Sequence, residues 1–168
     1  MIIIGYQAIG KTSLATTYAT YTDLESTNTW FTDENGERKR WPNWAEIYVN
    51  FAVDLSDHYG HTVFVSSHQV VRDELKKRGT RMVAVVCPRP ELKDQWIEKL
   101  QRRYDESGLD KDYRALMNAK DRYVDNINEM ANDGFPVFWI DNMDYKLWKV
   151  IDEGANRVWP PMSPVEEP

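Results

Sequence analysis

A chain of 168 residues, 42% apolar and 29% charged, has the composition of an ordinary globular domain and the length for one hydrophobic core, so any site must be built within that domain. Its formal charge of −6 argues against strong general nucleic-acid binding, which needs an excess of Lys and Arg to displace counterions from phosphates. The lone cysteine, Cys87, lies within Met82-Val-Ala-Val-Val-Cys87 and reads as a buried thiol in a reducing cytosol, so neither a disulfide framework nor a zinc or redox site is expected. No apolar run has the length of a membrane span and Met1 to Ile4 is too short for a signal peptide; the expectation is a cytoplasmic protein with no membrane partner.

Ile2, Ile3 and Ile4 form a β-branched run suited to a strand buried on both faces, and the next residues, Gly5 to Thr12, have the spacing G-x-x-x-x-G-K-T. Gly5 and Gly10 free the backbone to curl, and a helix over Lys11–Thr20 can start at the lysine. A loop of this form is an anion cradle. The N–H groups of Gln7, Ala8, Ile9, Gly10, Lys11 and Thr12 turn inward, with Ser13 next in line, Lys11 reaches the outer phosphates of a nucleotide, and the Thr12 hydroxyl is a ligand for Mg²⁺.

Tyr21 to Ser26 reads as a short strand or extended segment, and Thr27 to Arg40, without periodicity and closed by Arg38-Lys39-Arg40, as a long surface loop. After Trp41-Pro42, Asn43 is a plausible N-cap for a helix whose apolar face is Trp44, Ile47, Tyr48, Phe51, Ala52 and Leu55, and Gly60 ends it. Strand-like Thr62–Ser66, Met82–Cys87 and Pro136–Ile140 alternate with helical Gln69–Lys77, Glu91–Tyr104 and Lys111–Asn132. Strands separated by helices predict an α/β fold with a mainly parallel five-stranded sheet between helical layers, its ligands bound outside the carboxyl edge. From Ala155 the chain is proline-rich and aperiodic, so 155–168 reads as a flexible tail behind a single domain of 1–154.

The complete phosphate loop, the short chain and the order of sheet elements resemble the P-loop nucleoside and nucleotide kinases. GYQAIGKTSLA, TDLES, NWAEIYVNFA, VFVSSHQVVRDELKKRG and ELKDQWIEKLQRRYDE look most like the small phage-encoded (deoxy)nucleotide kinases, a resemblance covering roughly residues 1–150. It implies a P-loop NTPase three-layer α/β/α sandwich, phosphoryl transfer from ATP with Mg²⁺ to a nucleotide such as a deoxynucleoside monophosphate, and a location in the host cytoplasm. The partners would be a triphosphate donor and a nucleotide acceptor, with a homodimer allowed.

By the same resemblance, residues 88–108 would be a lid-like segment, with Lys99, Arg102 and Arg103 at i, i+3 and i+4, or else an ordinary solvated face paired to neighbouring acids. Arg72 would reach a phosphate. Many nucleotide kinases carry an acid directly after the third strand, where this chain has Ser66-Ser67-His68; the missing acid would be replaced by a serine acting through water, by Asp23 or Glu25, or by Asp141, with Asp23 preferred as Mg²⁺ ligand and catalytic group. The segment 27–42 would be the acceptor-site loop: Trp30 and Trp41 can stack a base, Arg38 and Arg40 can meet a monophosphate, and Glu25 and His68 stand at its edge. Two other readings stay open: a kinase acting on a modified base of the 5-hydroxymethyluracil type in phage DNA, and a P-loop protein that binds nucleotide without being a kinase.

Overall fold

Three short aliphatic runs, Ile2–Ile4, Val63–Val65 and Val83–Cys87, are buried along their whole length, which only the middle of a sheet covered on both faces allows. The structure is a computed structural model that describes residues 1–161. In chain order the elements are β1 (Ile2–Gly5), α1 (Lys11–Thr17), β2 (Tyr21–Asp23), β3 (Trp30–Thr32), β4 (Arg38–Arg40), α2 (Trp44–Asp57), β5 (Thr62–Val65), α3 (Gln69–Arg78), β6 (Val83–Pro88), α4 (Lys93–Ser107), α5 (Asp110–Ala131), β7 (Val137–Ile140) and α6 (Leu147–Val158), with 3₁₀ turns at Ser26–Thr29 and Pro90–Leu92. The architecture is α/β.

Five strands form one parallel sheet in the order β2-β5-β1-β6-β7. Its register pairs Ile3 with Phe64 on one side and with Ala84 on the other. The chain leaves β1 toward the β2 edge and leaves β6 toward the β7 edge, so the strand order reverses between β1 and β6. A crevice opens there at the carboxyl ends, directly where Gly5 gives way to the glycine loop. Helix α1 packs against α6, α2 packs against α3 and β5, and α5 packs against β6, so that helices cover the central strands.

Three boundaries differ from the sequence reading. Helix α1 stops at Thr17, because Tyr18 is already extended at φ −126°, ψ 123°. Residues 27–40 are not a structureless loop: β3 and β4 pair antiparallel, Trp30 opposite Arg40 and Thr32 opposite Arg38. Asp33 organises the turn of that hairpin, its Oδ1 accepting from the N–H groups of Asn35 and Glu37 at 2.9 Å each. The third difference is at the end of the chain, where α6 runs through Val158 and Trp159 packs edge-on against Phe138. Residues 155–159 therefore belong to the fold, and the rest of the expected tail from Met162 lies outside the described residues.

Helix α6 lies so close to β7 that a Cβ at Gly154 would overlap the Phe138 ring. Gly154→Ala should therefore destabilise the domain by about 2 kcal/mol despite the better helix propensity of alanine, read as a lower urea midpoint. An unchanged midpoint would mean that α6 is not seated on β7.

Candidate functional site

The glycine loop leaves the sheet after Tyr6, whose N–H still donates to the Val86 carbonyl at 3.0 Å. Ala8 at φ 60° and Gly10 at φ 102° are left-handed, the turned-in conformation that lines successive N–H groups along a concavity. Among the described residues, the N–H groups of Ala8, Gly10, Lys11, Thr12 and Ser13 have no backbone acceptor. Lys11 folds back over the loop and donates to the Gly5 carbonyl at 3.2 Å. A Cβ at Gly5 would lie 2.8 Å from Lys11 Cδ and 2.9 Å from Ile9 Cδ1, so this glycine makes room for the lysine stem. Burial pulls the Lys11 ammonium below its ordinary pKa; Asp23 and Glu25 push it back up, and Arg103 adds to the lowering.

Asp23 ends β2 beside the start of α1, and the Thr12 hydroxyl donates to its Oδ2 at 2.6 Å. Tyr48 of α2 holds this end of the sheet together: its hydroxyl donates to the Leu24 carbonyl and accepts from Ser66 N–H at 2.9 Å. Nothing in the helical pattern of α2 separates Tyr48 from a core residue, so this role was not legible. Of the acids considered for the site, Asp23 alone is bonded to Thr12. Glu25 is exposed nearby, and Asp141 pairs with Arg89 Nε at 2.8 Å at the β7 edge, where Arg89 lies over the Trp139 ring. No cluster of three His, Cys, Asp or Glu side chains occurs among the described residues. A hydroxyl and a carboxylate in contact at the mouth of an anion cradle nevertheless fit Mg²⁺, which takes one or two protein oxygens and fills its shell with water and phosphate.

Ser66 and Ser67, which stand where a kinase-like acid was expected, have other partners. Ser66 Oγ faces Nδ1 of His68, and the Ser67 carbonyl accepts from Arg72 Nη1. The His68 imidazole is held below the usual histidine range, first by desolvation and then by Arg40, Arg72 and Lys11.

The arginines divide by environment. Arg72 is buried, 3% exposed, with Nε on Asp133 Oδ2 at 2.6 Å and Nη2 on Gln69, and so ties α3 to the segment after α5. Its nitrogens are taken up by protein partners where the sequence reading had it reaching a phosphate. Lys99, Arg102 and Arg103 go to three different partners. Lys99 donates to the Tyr145 hydroxyl at 2.8 Å, Arg102 pairs with Glu98 on an exposed face at 2.8 Å, and Arg103 Nε pairs with the buried Asp112 at 2.8 Å. An exposed i, i+4 pair contributes about 0.3–0.5 kcal/mol. Arg102→Ala should therefore leave the unfolding midpoint unchanged, whereas Arg103→Ala should lower it, because it strips the buried Asp112 of its cation. A large loss of turnover in Arg102→Ala would restore that arginine to the site.

The hairpin carries a ladder of rings and cations. Arg40 is sandwiched, its Cζ 4.7 Å from the Trp30 ring centre and 4.0 Å from that of Trp44, and the Arg38 Cζ also lies over Trp30 at 5.1 Å. Trp41, half exposed, stacks on Phe31 at 4.6 Å. Trp30 and Trp41 are thus already engaged, and the Arg40 Nε is buried without an acceptor among the described residues.

On the opposite side of His68 lies a cavity of about 320 Å³, between the glycine loop, the start of α3 and the middle of α5. Gln7, Gln69, Asn118 and Asn126 line it with amides, alongside Tyr6 and His68. Helix α5 kinks at Arg122, between the two asparagines, and Asn126 Nδ2 reaches Asn118 Oδ1 at 2.6 Å. These amides were missed in the sequence because asparagines eight residues apart share a face of a straight helix but stand about 12 Å apart along it, too far to touch until the helix bends at Arg122. No protein-family model matches the chain, and no curated protein matches it. No helix among the described residues is long and apolar enough to cross a membrane.

Proposed function

We propose that the chain is a P-loop nucleotide kinase, transferring the terminal phosphoryl group of ATP to a nucleotide, most simply a deoxynucleoside monophosphate. The observation that carries this reading is the contact between Thr12 Oγ1 and Asp23 Oδ2 at the mouth of a cradle whose N–H groups lack backbone partners among the described residues. A simple anion site has no use for a carboxylate there, which would repel the ligand; a site for a metal-bound triphosphate does. The reversal of strand order beside the glycine loop supports the same fold assignment.

In this reading Gly10 to Ser13 offer N–H groups to the outer phosphates and Lys11 supplies a charge that its desolvated position strengthens. Thr12 and Asp23 would hold Mg²⁺, which neutralises charge on the phosphates when bound. The acceptor lies beside His68, its base in the amide-lined cavity and its phosphate toward Arg40 and Arg38 of the hairpin. A polar pocket of about 320 Å³ is at the small end of ligand-site sizes, suited to a base and sugar.

A projecting hairpin with Trp41 half exposed and Arg38 open to solvent favours one second reading, an acceptor base carried on DNA. One assay separates the two. The protein is incubated with ATP and Mg²⁺ against each deoxynucleoside monophosphate and, in parallel, against oligonucleotides bearing 5-hydroxymethyluracil, with ADP release and product mass as readouts. Mass gain on a monophosphate is the expected result; gain on the oligonucleotide alone would move the assignment to the DNA-directed reading, and ADP release without a phosphorylated product would leave a nucleotide hydrolase.

A further inference from the structure

Two aromatic side chains far away in sequence grip the back of the glycine loop. Trp96 Nε1 in α4 donates to the Gln7 carbonyl at 3.2 Å, and the Tyr145 hydroxyl, in the segment after β7, donates to the Ile9 carbonyl at 2.8 Å. In a trans peptide the carbonyl and the following N–H point in opposite directions. Pulling the Gln7 and Ile9 carbonyls outward therefore aims the N–H groups of Ala8 and Gly10 inward. Those are the two residues of the loop with positive φ, and neither N–H has a backbone acceptor among the described residues. Alanine adopts this conformation only when its surroundings enforce it.

Lys99 completes the arrangement. Its ammonium donates to the Tyr145 oxygen at 2.8 Å and lies over both rings, 4.5 Å from the Trp96 centre and 5.0 Å from that of Tyr145, which stack on each other at 6.0 Å. A hydroxyl that accepts from a cation becomes a stronger donor, so Lys99 reinforces the grip on Ile9. Gln7 is anchored in the same direction by its own side chain, whose Nε2 donates to the Ala115 carbonyl of α5 at 3.0 Å.

We infer that Tyr145 is a positioning residue for the anion cradle, held by Lys99, and that through it the seating of α4 and of the segment after β7 sets how well the loop binds phosphate. This rests on the reading of the loop as a phosphate site. It also explains Lys99, which has no place on a lid surface: its charge is spent on a tyrosine behind the loop.

The test uses inorganic tripolyphosphate as the probe and calorimetry as the readout, in the full chain. Tyr145→Phe keeps the ring and deletes the donor, and is expected to weaken tripolyphosphate binding about fivefold to tenfold, the loss of one oriented hydrogen bond. Lys99→Met should weaken it in the same direction by less. Tyr123→Phe is the control for a merely structural effect: Tyr123, buried where Tyr145 is partly buried, also donates to a backbone carbonyl, that of Arg89 at 3.0 Å, and not to one of the loop. It should lower the unfolding midpoint as much as Tyr145→Phe does and leave the affinity unchanged. The Gly10 amide resonance, shifted by tripolyphosphate in the native chain, should move less in Tyr145→Phe. Equal affinity in Tyr145→Phe and the native chain would overturn the positioning role, as would an equal loss in Tyr123→Phe. No tripolyphosphate binding by the native chain would instead sink the phosphate-site reading on which the inference rests.

Discussion

Lys11→Ala is expected to lose phosphoryl transfer by on the order of a thousandfold or more while the domain stays folded, because its charge on the outer phosphates acts where water is excluded. The fold has little stake in this side chain. Among the described residues its one side-chain hydrogen bond is to the Gly5 carbonyl at the rim of the loop, and its ammonium is held below its ordinary pKa by burial, a sign that the folded state bears a cost for the charge. The urea midpoint should therefore move little in either direction. Lys11→Arg should not rescue activity: a planar guanidinium with its charge spread over five N–H groups does not replace a compact ammonium at the rim of the loop. Turnover with ATP and a monophosphate, measured beside a urea titration, checks both halves. A Lys11→Ala protein with near-native turnover would remove the loop from the chemistry.

Asp23→Asn should lower kcat/KM for the acceptor by on the order of a hundredfold, the usual scale for one positioned polar group in such a reaction. Asparagine keeps the size of the side chain and an oxygen able to accept from the Thr12 hydroxyl, so the 2.6 Å contact can survive and only the charge is deleted. The loss should shrink as Mg²⁺ concentration is raised if the carboxylate serves to hold the ion. Asp141→Asn is the matched control. Its carboxylate is bound to Arg89 at the far edge of the sheet, and removing its charge should leave Mg²⁺ dependence as it was. If the two variants exchange phenotypes, the ion is held at the β7 edge and the Thr12–Asp23 contact is only a helix-end hydrogen bond.

The α/β class, the parallel sheet and the position of the glycine loop were legible from the chain because each depends on local pattern. Ile2 to Ile4 and Val83 to Cys87 are continuous apolar runs that only a doubly covered strand accommodates, and the G-x-x-x-x-G-K-T spacing depends on nothing beyond eight consecutive residues. The β3–β4 hairpin was half legible: Asn35-Gly36 marks a turn, but three-residue strands are too short to show alternation. Helix α6 was obscured by the proline-rich stretch that comes after it, although Leu147, Ile151, Gly154 and Val158 keep a helical period. What no local pattern could show is where the long charged side chains end. Arg72, Lys99, Arg102 and Arg103 look alike in sequence, four cations on two helices. Tertiary packing sends Arg72 to Asp133, Lys99 behind the loop to Tyr145 and Arg103 to a buried Asp112, while Arg102 pairs within its own helix with Glu98, as the i, i+4 spacing allows. A long, flexible side chain can reach any acceptor within its arc, and which acceptor comes within reach is decided by elements that arrive from elsewhere in the chain: the segment after α5 for Arg72, the segment after β7 for Lys99.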